Sequence, residues 1–219
     1  MLVVAGSFAF CCAVYGCFFL SNRNVAVSSE LASLTHHFIA ALIAFYATYV
    51  SREHIWTEAS MGANALYPMV TELQHFNIGY FLYDCLHVFT WDTKFIPHHL
   101  IALFGFWTSE YSGVFALANA VNIFIAEIGS MMYNWYNKNK TLQNYIFFVT
   151  GYTISRVIFF IWSISVIYQC YFYTGKNKHV WWIPYVGSAL QVSLLYVNAT
   201  FLMTHVKKLR TLLNKTKSI

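Results

Sequence analysis

The stretch GYFLYDCLHVFTWDTKFIPHHL, residues 79–100, carries the side chains best suited to chemistry: Asp84, His87, His98 and His99. Asp84 and His87 are three apart, so a helix presents both on one face, with Tyr80 one turn earlier. Pro97 suits the first position of a following helix and sets His98 and His99 in its opening turn. Counted outward from a turn near Lys94, His87 and His98 differ in depth by roughly 5 Å at a helical rise. An antiparallel hairpin therefore brings together Asp84, His87 and one of His98 and His99. An imidazole whose tautomer is set by a carboxylate acts as a general base or a transient acyl carrier. A plainer reading of the same residues has the histidine pair hydrogen-bonding Asp84 or Asp92 and pinning the hairpin.

The elements that position these groups are membrane helices. Of 219 residues, 58% are apolar, 20% aromatic and 10% charged, where a soluble domain carries about 25% charge. Apolar runs near 1–20, 31–51, 75–91, 97–109, 112–136, 145–173 and 180–205 predict seven spans, the fourth short. The first run has no positive residue before it and Arg23 after it, the pattern of a signal anchor and not of a cleaved leader. Residues 1–29 are read as this anchor and its loop, 30–206 as one membrane domain, and 207–219 as a basic tail.

Alternate loops and the tail hold nine of the 13 Lys and Arg residues: Arg23, Lys94, Lys138, Lys140, Lys207, Lys208, Arg210, Lys215 and Lys217. The positive-inside rule then puts the C-terminus in the cytosol and the N-terminus in the lumen. The net charge of +5 is mostly this rim. It suits contact with anionic headgroups, and no nucleic-acid partner is expected. The tail ends KTKSI, with lysines three and five residues from the end, as in a dilysine-type signal that returns proteins to the endoplasmic reticulum. The five cysteines form no framework and read as small apolar filler.

Ionisable groups at membrane depth cost about 2.5 to 3.5 kcal/mol each, so each needs a partner, an aqueous cavity or a function. Besides the hairpin residues they are His36, His37, Glu127 and Arg156, with Asn119, Asn122, Gln191 and Asn198 as neutral company. Helical spacing groups Asn119, Ala126 and Ser130 on span five, with Asn122 and Glu127 at the edges, and Ser188, Gln191, Asn198 and His205 on span seven. Several helices with a polar inner face predict a polar-walled cavity, not a solid apolar core. Arg156 is read as the counter-ion of Glu127 or Asp84, or of an anionic lipid headgroup. His36 either packs or faces the cavity; for His37, packing is the stronger reading.

Imidazole and carboxylate also bind zinc or iron, and haem could sit between His36/His37 and His98/His99. Di-iron membrane oxygenases need more histidines, in spaced boxes, and no ligand set is fixed here. No metal and no cofactor are therefore expected.

Taken in order, SLTHH, GYFLYD, PHHLIALFGF, AEIGSMMYN and ISRVIFF resemble the TLC domain shared by ceramide synthases, the translocation-associated membrane protein and a neuronal ceroid lipofuscinosis protein. The resemblance covers about residues 30–205 and implies six core helices around a cavity, preceded here by an extra span. Ceramide synthases follow their histidine pair with His-Asp and a further Asp; the corresponding region here reads IFIAEIGSMMYN, with Glu127 alone. The chain is thus more similar to the non-synthase members.

The expected fold is an all-α polytopic membrane protein. The expected function is lipid homeostasis in the endoplasmic reticulum, with acyl-CoA as substrate for transfer to a lipid through His98, His99 and Asp84. Lipid contacts are expected from His36, His87, Tyr80, Asn119, Asn122, Glu127, Arg156, Gln191 and Asn198. The alternatives are a lipid-binding, sensing or cargo-escort protein and a structural subunit beside other membrane proteins.

Overall fold

A computed structural model describes residues 2–56, 64–91, 96–174 and 181–217; the side chains of 87–91, 172–174 and 215–217 lie outside the description. The described residues form seven α-helices: α1 (Leu2–Asn22), α2 (Val25–Val50), α3 (Pro68–Trp91), α4 (Ile96–Ser112), α5 (Ala116–Lys138), α6 (Leu142–Thr174) and α7 (Ile183–Lys217). No strand occurs among them. The chain is an all-α polytopic membrane protein, as its composition predicts.

Helices α1, α2, α5, α6 and α7 are long and apolar enough to cross a bilayer. Two of the seven expected spans fall short of that measure. Helix α4 has 17 residues, and α3 carries Glu72 and Asp84 in a 24-residue helix that is less apolar than its neighbours. Both are packed against other helices, which is where a short or polar membrane helix is tolerated.

Contacts run α2–α3, α3–α4, α4–α7, α7–α6, α6–α5 and α5–α2, so six helices close a ring. Helix α1 lies outside it, against α2 and α3. Gly79 permits that approach: a Cβ there would sit 2.5 Å from the Val4 carbonyl oxygen and 2.6 Å from Ser7 Cβ. Two ring contacts join helices distant in the chain, α2–α5 and α4–α7, and together they shut the barrel.

Local signals fix the joints. The Asn24 side chain accepts from the Val27 N–H at 3.1 Å and starts α2 two residues after α1 ends. Asn64 ties the α4–α5 turn in place: its amide donates to the Ser109 carbonyl at 3.0 Å, and its side-chain oxygen accepts from the Ala116 N–H at 2.9 Å. In that turn Gly113 and Phe115 both have positive φ, 68° and 81°. Phe115 is a non-glycine residue in the left-handed region, and the hydrogen bonds from Asn64 and its own burial hold it there.

Candidate functional site

The α3–α4 hairpin forms as its sequence predicts, with Pro97 in the first turn of α4. His99 Nε2 and Asp84 Oδ2 lie 2.6 Å apart, within the range of a charge-assisted hydrogen bond. Both side chains are largely buried, and the edge of the His99 ring meets Phe81 at 5.1 Å. His98 stands beside them, its ring centroid 5.7 Å from that of His99 and 6.2 Å from that of Phe81. The side chain of His87, the third expected member, lies outside the described residues.

A second pair joins α2 to α5: His37 Nδ1 is in direct contact with Glu127 Oε2. The Tyr80 hydroxyl is 3.5 Å from the other nitrogen of His37. His36, expected to contact lipid, does not line the cavity. Its ring stacks on Tyr80 with centroids 3.7 Å apart and on Phe76 at 4.8 Å, and its Nε2 meets Asn77 Oδ1 at 3.2 Å. The physical reason is the turn of about 100° per residue along a helix: of two adjacent histidines one faces α3 and the other faces the barrel axis. His37 is the residue that looks inward.

Inside the ring is a cavity of about 1140 Å³, lined by α2 through α7 and not by α1. Drug-sized ligands occupy pockets of roughly 300–1,000 Å³, so this one has room for a lipid. Its wall is zoned. At one end stand Glu30, Asn137, Lys140 and Lys208; in the middle Asp84, His98, His99, Glu127 and Arg156; towards the other end Phe115, Phe159, Val166, Cys170 and Leu190, with Asn119, Asn122 and Gln191 among them. The wall thus runs from a lysine-bearing end through an ionisable centre to an end richer in apolar side chains.

Asn119, Asn122, Gln191 and Asn198 are all on this wall. Each also binds protein. Gln191 Nε2 donates to Ser163 Oγ at 2.8 Å and exchanges amide hydrogen bonds with Asn122. Asn119 donates to Gln74, which donates to Glu110, and Asn198 accepts from the Tyr152 hydroxyl at 3.1 Å. These amides hold α3, α4, α5, α6 and α7 together.

Of the three partners expected for Arg156, the two carboxylates do not meet it. It pairs with neither Glu127 nor Asp84, because each of those carboxylates already faces a histidine of another helix. Its guanidinium lies over the Tyr152 ring, 4.1 Å from the centroid, and faces the cavity. Nε and Nη1 are buried without a hydrogen-bond acceptor among the described residues.

For a metal, the one cluster of donors among the described residues is His36, His37 and Glu127, whose ligating atoms lie within 4.8 Å of one another. Two imidazoles and a carboxylate are donors a transition metal accepts. Two of the three are already engaged elsewhere, His36 with Asn77 and Tyr80 and His37 with Tyr80. The inward role of His37 was the main feature the sequence concealed; the SLTHH doublet gives the pair but not which member faces in.

The family model for the TLC domain matches residues 26–207. That span begins with α2 and takes in all six ring helices, leaving α1 outside. No curated protein and no solved structure matches the chain.

Proposed function

Because the chain belongs to the TLC-domain family, we propose that it is an endoplasmic-reticulum protein of lipid homeostasis that transfers an acyl group from acyl-CoA to a membrane lipid. The observation that carries this reading is the 2.6 Å contact of His99 with Asp84 on the wall of a cavity with a polar centre and an apolar end. Asp84 as carboxylate keeps the proton on Nε2 of His99 and makes Nδ1 the basic nitrogen. That nitrogen takes the proton of a lipid hydroxyl or amine as its oxygen or nitrogen attacks the thioester carbonyl. The C–S bond breaks, the acyl group moves to the acceptor, and the imidazolium returns the proton to the departing thiolate.

Cytosolic access suits acyl-CoA. The Lys and Arg asymmetry supports a cytosolic basic end, and Lys140 and Lys208 line the cavity there. The KTKSI tail supports the reticulum. With Lys215 and Lys217 both changed to Ala, a tagged copy is expected to spread beyond the reticulum; an unaltered distribution by microscopy would remove that support.

One observation favours a second reading, lipid binding without turnover: Glu127, which stands where ceramide synthases have their further acidic residues, is held by His37. Lipidomics of cells expressing wild type, His98→Ala, His99→Ala or Asp84→Ala separates the two. Acyl transfer predicts that wild type alters the acyl composition of one lipid class and that His99→Ala and Asp84→Ala abolish the change at equal protein level. Coincident profiles from all four would sink the catalytic reading.

A further inference from the structure

We propose that the cavity selects an amphiphile bearing an oxyanion, with Arg156 binding the acid group and the apolar end of the barrel taking the chain. This rests on the reading of the cavity as a lipid site and names the class of lipid. Which polar groups of the wall already have partners is the starting point. Asp84 contacts His99, Glu127 contacts His37, and among the described residues the guanidinium of Arg156 has no carboxylate. Arg156 is only 9% exposed, and a buried charge without a partner costs several kcal/mol. A side chain with its Nε and Nη1 buried and unpaired at a cavity wall is poised for a ligand that supplies the anion.

The surroundings hold the guanidinium ready. Tyr152 supports its face and is itself fixed by Asn198. Gly129 of α5 leaves the space, since a Cβ there would lie 3.1 Å from Arg156 Nη2. Beyond Arg156 on the same helix the wall turns apolar through Phe159 and Val166 to Cys170. Fourteen residues of helix separate Arg156 from Cys170, roughly 21 Å at 1.5 Å per residue, enough for an extended long chain. Carboxylate and phosphate share the planar or tetrahedral oxygens that a guanidinium grips by two hydrogen bonds. An ammonium headgroup would meet Arg156 as a like charge, so a sphingoid base is disfavoured.

The test is binding to purified full-length protein in detergent, by native mass spectrometry and thermal shift. The probes are oleate, 1-oleoyl-lysophosphatidate, oleyl alcohol, sphingosine and inorganic phosphate. Wild type is expected to bind one or both acidic lipids at least about tenfold more tightly than oleyl alcohol, with sphingosine weakest. Preference for oleate identifies a carboxylate, and preference for lysophosphatidate identifies a phosphate headgroup. Arg156→Gln should lose the preference, and Arg156→Lys, which keeps the charge but not the planar fork, should retain part of it.

Equal binding of oleate, lysophosphatidate and oleyl alcohol by wild type would overturn the proposal. So would an unchanged preference in Arg156→Gln. Protection by inorganic phosphate as strong as by the lipids would also overturn it, by making the site one for a free anion. If the preference depends on Arg156 while no acyl transfer is detected, this inference stands and the catalytic reading fails; transfer without the preference is the reverse.

Discussion

Asp84→Asn is expected to reduce acyl transfer by roughly 10²- to 10⁴-fold, the range over which a positioned general base contributes, while the protein accumulates and melts close to wild type. The asparagine side chain has the shape of the aspartate and still reaches His99, whose Nε2 lies 2.6 Å from Asp84 Oδ2. What it loses is the charge that steadies the imidazolium formed as the acceptor is deprotonated, and the preference for one tautomer. Asp84→Ala should have the same kinetic effect plus a lower Tm, because a nearly buried His99 N–H is left without its acceptor, at a cost of about 1–3 kcal/mol. Initial rates with purified protein, read beside thermal melts, separate the two. A wild-type rate in Asp84→Asn would mean the contact merely pins the hairpin.

Glu127→Leu carries the largest expected loss of stability, about 3 to 5 kcal/mol, the cost of removing one partner from a buried ion pair. Its side chain is 7% exposed and that of His37 12%, so the imidazole left behind has little access to water. The double variant His37→Leu/Glu127→Leu should recover most of the loss, because two apolar residues of similar volume leave no charge unmatched. Denaturation of the two single variants and the double variant gives a double-mutant cycle. A coupling near zero would show that the pair does not join α2 to α5.

The hairpin was legible because its determinants are local. The spacing of Tyr80 and Asp84, the position of Pro97 and a short connection suffice to bring Asp84 to His99. The polar stripes of α5 and α7 were legible for the same reason: helical spacing alone puts Asn119, Asn122 and Glu127, and Gln191 and Asn198, towards one axis.

What was not legible depends on contacts between distant segments. Closure of the ring by α4 and α7 has no local signature. The inward turn of His37 over His36 is decided by Phe76 and Tyr80 of α3, which take the His36 ring as a stacking partner. The sequence left Arg156 three candidate partners because it gives the number of carboxylates and bases but not which pairs meet. Once His99 and His37 have taken Asp84 and Glu127, the arginine is what remains. Two neighbours of Arg156, Gly129 and Tyr152, gain meaning only from that outcome.

The central claim is that the six-helix barrel works on lipid through His99 and Asp84, and transfer of labelled oleate from oleoyl-CoA by the purified protein in liposomes tests it most directly. The account predicts a labelled lipid product with wild type, formed at a rate lowered at least about a hundredfold in His99→Ala and Asp84→Asn. Equal product formation by wild type and both variants, or none by wild type with any of a neutral, a zwitterionic and an anionic acceptor lipid, would contradict it.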